Sequence, residues 1–441
     1  MVHLKSFAVV ATTLFGCTLA APATSPGIDS TIPGSYIITF KSEVGDRGVK
    51  NHLNWVEGVH KRSLEKRDGD NGVEKTYDAR SGFHAYSGTF DPSTIKQIEK
   101  SPQVARVEPD RRVRLTWSQN KREEQPVEED LDDEEQDQEQ ENDVEDDMEG
   151  LKKRSETNQK KSTWGLGTIS HRKLGFQNYF YNKKGGTESY AYVVDSGVRV
   201  SHKEFQGRAK AVWTAFRKDH VDRLGHGTHV AGTIAGKTYG VAKKAKILSV
   251  KVFQGDSADL SIILDGINWA VNDIIKRKRQ EFSVINLSLG VDGVSGALND
   301  IVKNAAKAGV IFVVAAGNGG SVASKTSPAS APQAITVGAI DSKWRIPSWS
   351  NYGSSVDILA PGVGVVSASW LSDTGTYTED GTSMACPHVA GLVLYAQSVH
   401  GVVGVSKTAN YLRKYATNKV VGNRRGSPNM IANNNNFAQN K

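Results

Sequence analysis

The sequence predicts an α/β protein, a parallel sheet flanked by helices, preceded by a small separate α+β unit. Three observations point there. From residue 164 onward, short apolar runs alternate with stretches of helical period, the pattern of strands buried on both faces and joined by crossover helices. A shorter alternation fills residues 34–115. Between the two, residues 123–149 hold 17 Asp or Glu and no Lys or Arg, a composition that cannot bury enough apolar surface to offset chain entropy. At 441 residues the chain exceeds one ordinary domain, and 38% hydrophobic with 8% aromatic residues excludes a wholly disordered protein.

Residues 1–20 read as a secretory signal: Lys5 supplies charge, residues 7–19 are mostly apolar, and Thr18-Leu19-Ala20 resembles a cleavage site. The run is too short for a membrane anchor. Residues 21–118 come next, with a core at about 34–115. There, residues 35–40 and 83–90 read as strands and Val49, Leu53, Val56 and Val59 recur at helical spacing. Asp91-Pro92 opens a second helix, since an Asp cap satisfies free N–H groups and Pro presets the backbone. Residues 104–113 close the unit as a strand.

Residues 119–162 are expected to be an acidic disordered linker, with Lys121-Arg122 and Lys153-Arg154 as dibasic processing sites. The plain reading is a solvated spacer. The sharper one is an electrostatic tether to the basic C-terminal part of the chain, because residues 155–441 carry 34 Lys or Arg against 18 Asp or Glu. The overall charge of +7 reflects this contrast and is not read as a sign of nucleic-acid or membrane partners. Cys17 leaves with the signal, so Cys386 stays as one thiol without an intrachain disulfide.

In residues 163–441, strands are predicted at 191–195, 245–252, 284–289, 310–316 and 334–337, and helices at 226–236, 260–278 and 297–308. Sites in such sheets cluster beyond the carboxyl ends of strands. Four motifs fall there: Val194-Asp195-Ser196-Gly197, Gly225-His226-Gly227-Thr228-His229, Ala316-Gly317-Asn318-Gly319, and Gly381-Thr382-Ser383-Met384-Ala385. Each alone has a structural explanation, since Asp and Ser cap helices, Gly-Asn turns are common and a lone His is usually structural. Together they supply what acyl transfer needs. Ser383 is a poor nucleophile until a base such as His226 takes its proton. Asp195 would fix the imidazole tautomer, and Asn318 with the Ser383 N–H would receive an oxyanion. A helix beginning at Ser383 adds its positive dipole end.

The order Asp…His…Ser is that of the subtilisins. With Trp164-Gly165-Leu166, Ser350-Asn351-Tyr352-Gly353 and Ala360-Pro361-Gly362, the chain resembles the secreted proteinase K-like branch of subtilisin-type serine proteases. Tyr36-Ile37-Ile38-Thr39-Phe40, Gly82-Phe83 and Val107-Glu108-Pro109-Asp110 resemble the matching inhibitor-type propeptide. The resemblance implies a subtilisin-like catalytic domain behind a ferredoxin-like propeptide domain that aids folding and then blocks the cleft. It implies a secreted endopeptidase acting as a monomer on protein or peptide substrates, made as a self-inhibited zymogen. A large apolar or aromatic residue is expected before the scissile bond. Ser288-Leu289-Gly290 resembles the strand that binds extended substrate, faced by Ser257-Ala258-Asp259-Leu260. Val291 and Ala258 stand where Gly is usual, which narrows the cleft. A structural calcium ion is implied at the carbonyls of Pro332 and Ala334 and the carboxylate of Asp357, oxygen ligands suited to a hard cation; no catalytic metal is implied.

The remaining features read as structural. His229 and His388 complete no metal set, and Cys386 reads as a small buried hydrophobe. Asp256 and Asp259 read as solvated charges and Lys276-Arg277-Lys278-Arg279 as a solvated helix end. The sequon Asn286-Leu287-Ser288 is expected to stay unmodified, since it falls in a strand. Two alternatives remain open: a vacuolar destination, and a catalytically silent binding or inhibitory protein on the same fold. A kexin-like processing protease is disfavoured, since residues after the catalytic motifs leave no room for its extra β-domain.

Overall fold

A computed structural model describes residues 30–64, 72–115 and 156–438. The expected signal, the acidic block and both dibasic pairs lie outside the described residues.

The N-terminal elements run β1 (Thr31–Phe40), α1 (Asp46–Leu64), β2 (Val73–Ala79), β3 (Phe83–Thr89), α2 (Pro92–Glu99) and β4 (Val104–Arg114). Their strands pair antiparallel in the order β4-β1-β3-β2, the ferredoxin-like arrangement. Asp91 caps α2 as expected, its Oδ1 accepting the Ser93 and Thr94 N–H groups at 2.8 and 3.1 Å, a contribution of about 1 kcal/mol. Because side chains alternate along a strand, Ile38 and Phe40 pack beneath the unit's own helices with Val56, Ile95 and Ile98. Ile37, Phe83, Ala85 and Val113 instead join a core of the larger part.

The larger part begins with β5 (Glu156–Gln159), α3 (Trp164–Ser170), β6 (Tyr179–Asn182), β7 (Tyr190–Asp195), β8 (Ala209–Thr214), α4 (His226–Ala235) and β9 (Lys246–Lys251). It continues with β10 (Ser257–Asp259), α5 (Leu260–Lys276), β11 (Ser283–Leu287), β12 (Val291–Asp292), α6 (Gly296–Lys307), β13 (Phe312–Ala315) and β14 (Thr326–Ser327). The remainder is β15 (Ile335–Ile340), β16 (Ile358–Pro361), β17 (Val365–Ala368), β18 (Thr376–Glu379), α7 (Thr382–His400), α8 (Val405–Tyr415), β19 (Thr417–Asn418) and β20 (Met430–Ile431). The main sheet is ordered β19-β20-β16-β15-β13-β11-β7-β9-β8 and is parallel apart from β19 against β20. Strand order reverses beside β7, so a crevice opens at the carboxyl ends of β7, β11 and β13.

One face of the sheet packs on α4 and α7, through Val230, Ile234, Val389 and Val393. The other packs on α5 and α6, and that core takes in the free face of the N-terminal sheet through Ile37, Phe83 and Val113. The small unit therefore covers both of its faces, as buried sheets require. One expectation is corrected. The linker does not extend to residue 162, because residues 156–159 form β5, paired antiparallel with β6, and the Gln159 amide donates to the Thr238 carbonyl at 3.1 Å. Polar composition concealed a segment whose backbone and side chains find partners in the folded domain.

Candidate active site

Asp195 closes β7 and is fully buried. Its Oδ1 accepts the Ser196 N–H at 2.7 Å, and the ring Nδ1 of His226, the first residue of α4, lies 2.8 and 2.9 Å from its two oxygens. What places His226 is the segment ahead of it. Asp222, which belongs to none of the four motifs, accepts the N–H groups of Leu224, Gly225 and Thr228 at 3.1, 2.8 and 3.0 Å and the Ser196 hydroxyl at 2.9 Å. A carboxylate on those N–H groups also suits the positive end of the helix dipole. Gly225 turns at φ +92°, and a Cβ there would sit 1.9 Å from the Trp370 ring, so the turn admits only glycine. The signal for Asp222 was its position four residues before His226, filling the cap of a helix whose own N-cap residue lacks a side chain.

The imidazole of His226 is held above its ordinary pKa. Burial opposes the charged ring, but the Asp195 carboxylate, then Glu379 and Asp222, outweigh it. His229 and His388 are pushed down by burial to about 3 and about 4, with one ring nitrogen of each on a backbone carbonyl, so both are structural as expected.

Ser383 is the second residue of α7 and is 4% exposed. Its Oγ donates to the Ser288 carbonyl at 3.0 Å. The Ser288 hydroxyl in turn donates to the Ser383 carbonyl at 2.8 Å. That second bond has a local cause. Pro387, inside α7, has no N–H to give to the carbonyl four residues back, and the Ser288 hydroxyl takes its place. The strand expected to bind substrate is thereby fastened to the first turn of α7.

Asn318 follows β13 in a loop shaped by Asn351, whose Oδ1 accepts the Gly319 and Ser321 N–H groups at 3.2 and 2.9 Å while its Nδ2 donates to the Ala316 carbonyl at 2.9 Å. Gly317 turns at φ +103°, and a Cβ would meet the Asn351 amide at 2.4 Å. Asn318 Oδ1 accepts both the N–H and the hydroxyl of Thr382, at 2.9 and 2.8 Å. This fixes the amide, since only the oxygen can accept, and leaves Nδ2 as the donor end. Asn318 and Ser383 line one cavity of about 120 Å³ together with Ser288, Leu289, Gly290 and Val291. On the expectation that Asn318 donates to an oxyanion, Asn318→Leu should lower kcat about 10²–10³-fold, the loss that removing one such donor causes; steady-state kinetics on a peptide anilide checks it.

The facing segment is already engaged. Ser257, Ala258 and Asp259 in β10 pair antiparallel with Arg114, Val113 and Arg112 in β4, and the Leu115 N–H donates to the Asp256 carbonyl at 2.9 Å. Leu260 is fully buried at the start of α5. Asp259, read as a solvated charge, holds Arg112 at 3.1 Å. Two carboxylates of the N-terminal unit cap helices of the larger domain: Glu108 Oε2 accepts the Gly296 and Ala297 N–H groups at 2.9 and 3.2 Å, and Asp110 Oδ1 accepts the Ser261 N–H at 3.1 Å.

The residues expected to hold calcium do not fit a divalent cation as arranged. Asp357 supplies the one negative charge, yet its Oδ2 accepts the Thr336 N–H at 2.9 Å and its Oδ1 holds the Arg413 guanidinium at 3.0 Å. Arg413 is steadied by Asn410 Oδ1 at 2.9 Å. A fixed cation is therefore already on the carboxylate, and Pro332 and Ala334 add only neutral carbonyls.

Cys386 is buried with its thiol on Asn286 Oδ1 at 3.2 Å, and burial raises its pKa, so it is a packed side chain rather than a reactive one. Asn286 is itself buried and donates to Ser288 Oγ at 2.9 Å. Arg277 and Arg279, in the basic run, pair with Asp273 at 2.6 and 3.4 Å.

Comparison with known proteins agrees with this geometry. The model of the subtilase family matches residues 188–433, and that of the peptidase inhibitor I9 family matches residues 35–116. Alkaline protease 1 of Aspergillus clavatus is 44% identical over 98% of this chain and 99% of its own length. The alkaline proteinase of Hapsidospora chrysogena is 43% identical over 99% of this chain and 100% of its own. The crystal structure of a cold adapted subtilisin-like serine proteinase is similar with a TM-score of 0.58 and 39% identity, covering 62% of this chain and 98% of that one. With a buried Asp195–His226 pair, Ser383 and Asn318 lining one cavity, and relatives alike from end to end, this chain belongs to the subtilase family of serine endopeptidases and carries an I9 inhibitor domain ahead of its catalytic domain.

Proposed function

We propose that Ser383 is the nucleophile, His226 the general base, Asp195 its orienting carboxylate and Asn318 an oxyanion donor. The observation that carries this is the Asp195–His226 contact at 2.8 Å, taken with a cavity lined by both Ser383 and Asn318. Ser383 Oγ swings from the Ser288 carbonyl toward His226, which takes its proton as Oγ bonds to the substrate carbonyl carbon. The oxygen left negative is received by Asn318 Nδ2 and the Ser383 N–H. His226 then passes its proton to the leaving amine, the C–N bond breaks, and the acyl-enzyme remains. Water, deprotonated by His226, releases the acid and restores Ser383.

Substrate lies extended between Ser288–Gly290 and Ser257–Leu260 as an added strand. The pairing of β4 along β10 supports this, since a propeptide strand on that edge is what self-inhibition requires. Leu289 and Val291 in the cavity wall favour a large apolar residue before the scissile bond. The boundaries we propose are a signal at residues 1–20, a propeptide at 21–118 and a catalytic domain from about 156, with cleavage at the dibasic pairs. The mature enzyme is secreted, with the vacuole as the alternative destination, and acts as a monomer. A fluorophosphonate tests the chemistry. Label on the wild type and none on Ser383→Ala is expected, whereas an unlabelled wild type freed of its propeptide would make the chain a silent member of the fold. N-terminal sequencing of the labelled product gives the mature start.

Subtilases generally bind calcium and use no catalytic metal. At Asp357 a calcium ion has to displace Arg413. Arg413→Met is therefore expected to make the melting temperature rise by several degrees with millimolar calcium, while in the wild type Asp357→Asn leaves the response to a chelator unchanged. Scanning calorimetry reads both.

A further inference from the structure

We propose that Glu379 is a positioning residue for the reaction, a buried carboxyl that governs when His226 gives up its proton. Glu379 closes β18 four residues before Ser383 and is only 2% exposed. It pairs with Val365 of β17, whose carbonyl lies 2.9 Å from His229 Nε2. Side chains two apart on a strand share a face, so Glu379 lies on the face of Tyr377. The Tyr377 ring meets His229 and Trp370 edge-on, at 6.5 and 5.5 Å between centroids. Trp370 in turn covers Gly225, the residue before His226. This face of the hairpin therefore packs on the first turn of α4, where the catalytic imidazole stands.

Three carboxyls act on that ring, and they differ in what holds them. Asp195 and Asp222 accept hydrogen bonds on both oxygens. Glu379 Oε2 has no hydrogen-bond partner among the described residues. A buried carboxyl short of donors is slow to ionise, and a nearby cation favours its charged form. The charged groups that act on Glu379 are His226, which favours its ionisation, and Asp195, Asp222 and Asp380, which oppose it. Lys251 also acts on Asp195 and Asp222, but its ammonium is held by the Ser196 and Phe253 carbonyls, each at 2.6 Å. His229 is kept neutral by burial. The imidazolium of His226 is thus the partner for Glu379, and each favours the charged form of the other.

The direction is set by burial, which lifts the Glu379 carboxyl to about 7. As pH rises through that range the carboxyl ionises, and its charge then holds the His226 proton to higher pH. The fully active base is delayed and the working range moves to the alkaline side. Nothing in the triad chemistry calls for this third carboxyl, and nothing in the sequence singled it out.

The proposal rests on His226 acting as the base. Its test is the pH dependence of kcat/KM for the mature wild type, Glu379→Gln and Glu379→Met. Both variants are expected to move the acid limb down by about half to one pH unit, and so at pH 6 to keep roughly three- to tenfold more of their own plateau activity. A merely structural residue would lower the plateau without moving the midpoint. An unmoved or raised midpoint in either folded variant overturns the proposal. Should neither variant fold, NMR titration of the Ser383→Ala precursor decides it: the His226 ring and the Glu379 carboxyl must titrate as a coupled pair, and independent titrations overturn it. That readout needs no turnover, so a failure of the peptidase reading would stay distinguishable from a failure of this one.

Discussion

Ser383→Ala is expected to lower kcat on the order of a millionfold, the value that loss of the nucleophile gives in subtilisin of the same family, and to leave the precursor unprocessed by its own activity. The substitution is small enough to leave the fold intact. It removes Oγ and with it one hydrogen bond, from Oγ to the Ser288 carbonyl at 3.0 Å. The bond that ties α7 to the segment after β11 runs the other way, from the Ser288 hydroxyl to the backbone carbonyl of Ser383 at 2.8 Å, and survives. The N-terminal unit holds its place through Glu108, Asp110 and β4, none of which touches Ser383. The variant should therefore accumulate as a folded full-length precursor with an unchanged melting temperature. Intact mass, calorimetry and cleavage of a peptide anilide check the three parts separately. A variant that still processes itself at the wild-type rate would transfer the chemistry away from Ser383.

The parts of this molecule that were legible in the sequence are those where burial writes a pattern. β7, β11, β13 and β15 are covered on both faces, so their sequences are largely apolar runs. α4 and α7 announced themselves through motifs at their first turns. Thr376–Glu379 went unread as a strand because it is polar and lies in a two-stranded hairpin, where half the surface faces away from the core. Ala209–Thr214 was missed as the edge of the main sheet, with only one neighbour to hide it. Asp195, His226, Asn318 and Ser383, the residues proposed for the chemistry, could be named because that chemistry demands those residue types. Asp222 left only the faint signal of a carboxylate four residues before His226 and Glu379 left none, since such a carboxylate acts on His226 by position and burial, and only the fold reveals that either is inside. Asp357 is a different case. Its residue type suited a cation, and what the sequence could not reveal is that the Arg413 guanidinium, from α8, lies on that carboxylate.

Asp195→Asn is expected to cost about 10⁴-fold in kcat while the geometry stays nearly unchanged, as in other proteases of this triad chemistry. The reason can be traced atom by atom. In the wild type both Asp195 oxygens face His226 Nδ1, at 2.8 and 2.9 Å, and so require a hydrogen on that nitrogen. The other ring nitrogen is then the one with a lone pair, ready to take the Ser383 proton. In the variant, the Ser196 N–H, 2.7 Å from Oδ1, holds the amide oxygen at that position, because an NH₂ group cannot accept it. The amide nitrogen then takes the other position, 2.9 Å from Nδ1, so that the Nδ1–H, still 2.8 Å from the amide oxygen, now also faces a donor. The ring relieves the conflict by moving its proton to the far nitrogen, which leaves no base toward Ser383. Loss of the Asp195 charge also withdraws the main force that raises the His226 pKa against burial. What activity remains should therefore lose its acid limb at a lower pH than the wild type, since a group whose pKa falls becomes a free base earlier as pH rises. The fall in kcat and the downward shift must appear together. A large loss of kcat with the acid limb unmoved would mean that Asp195 orients the ring without setting its charge.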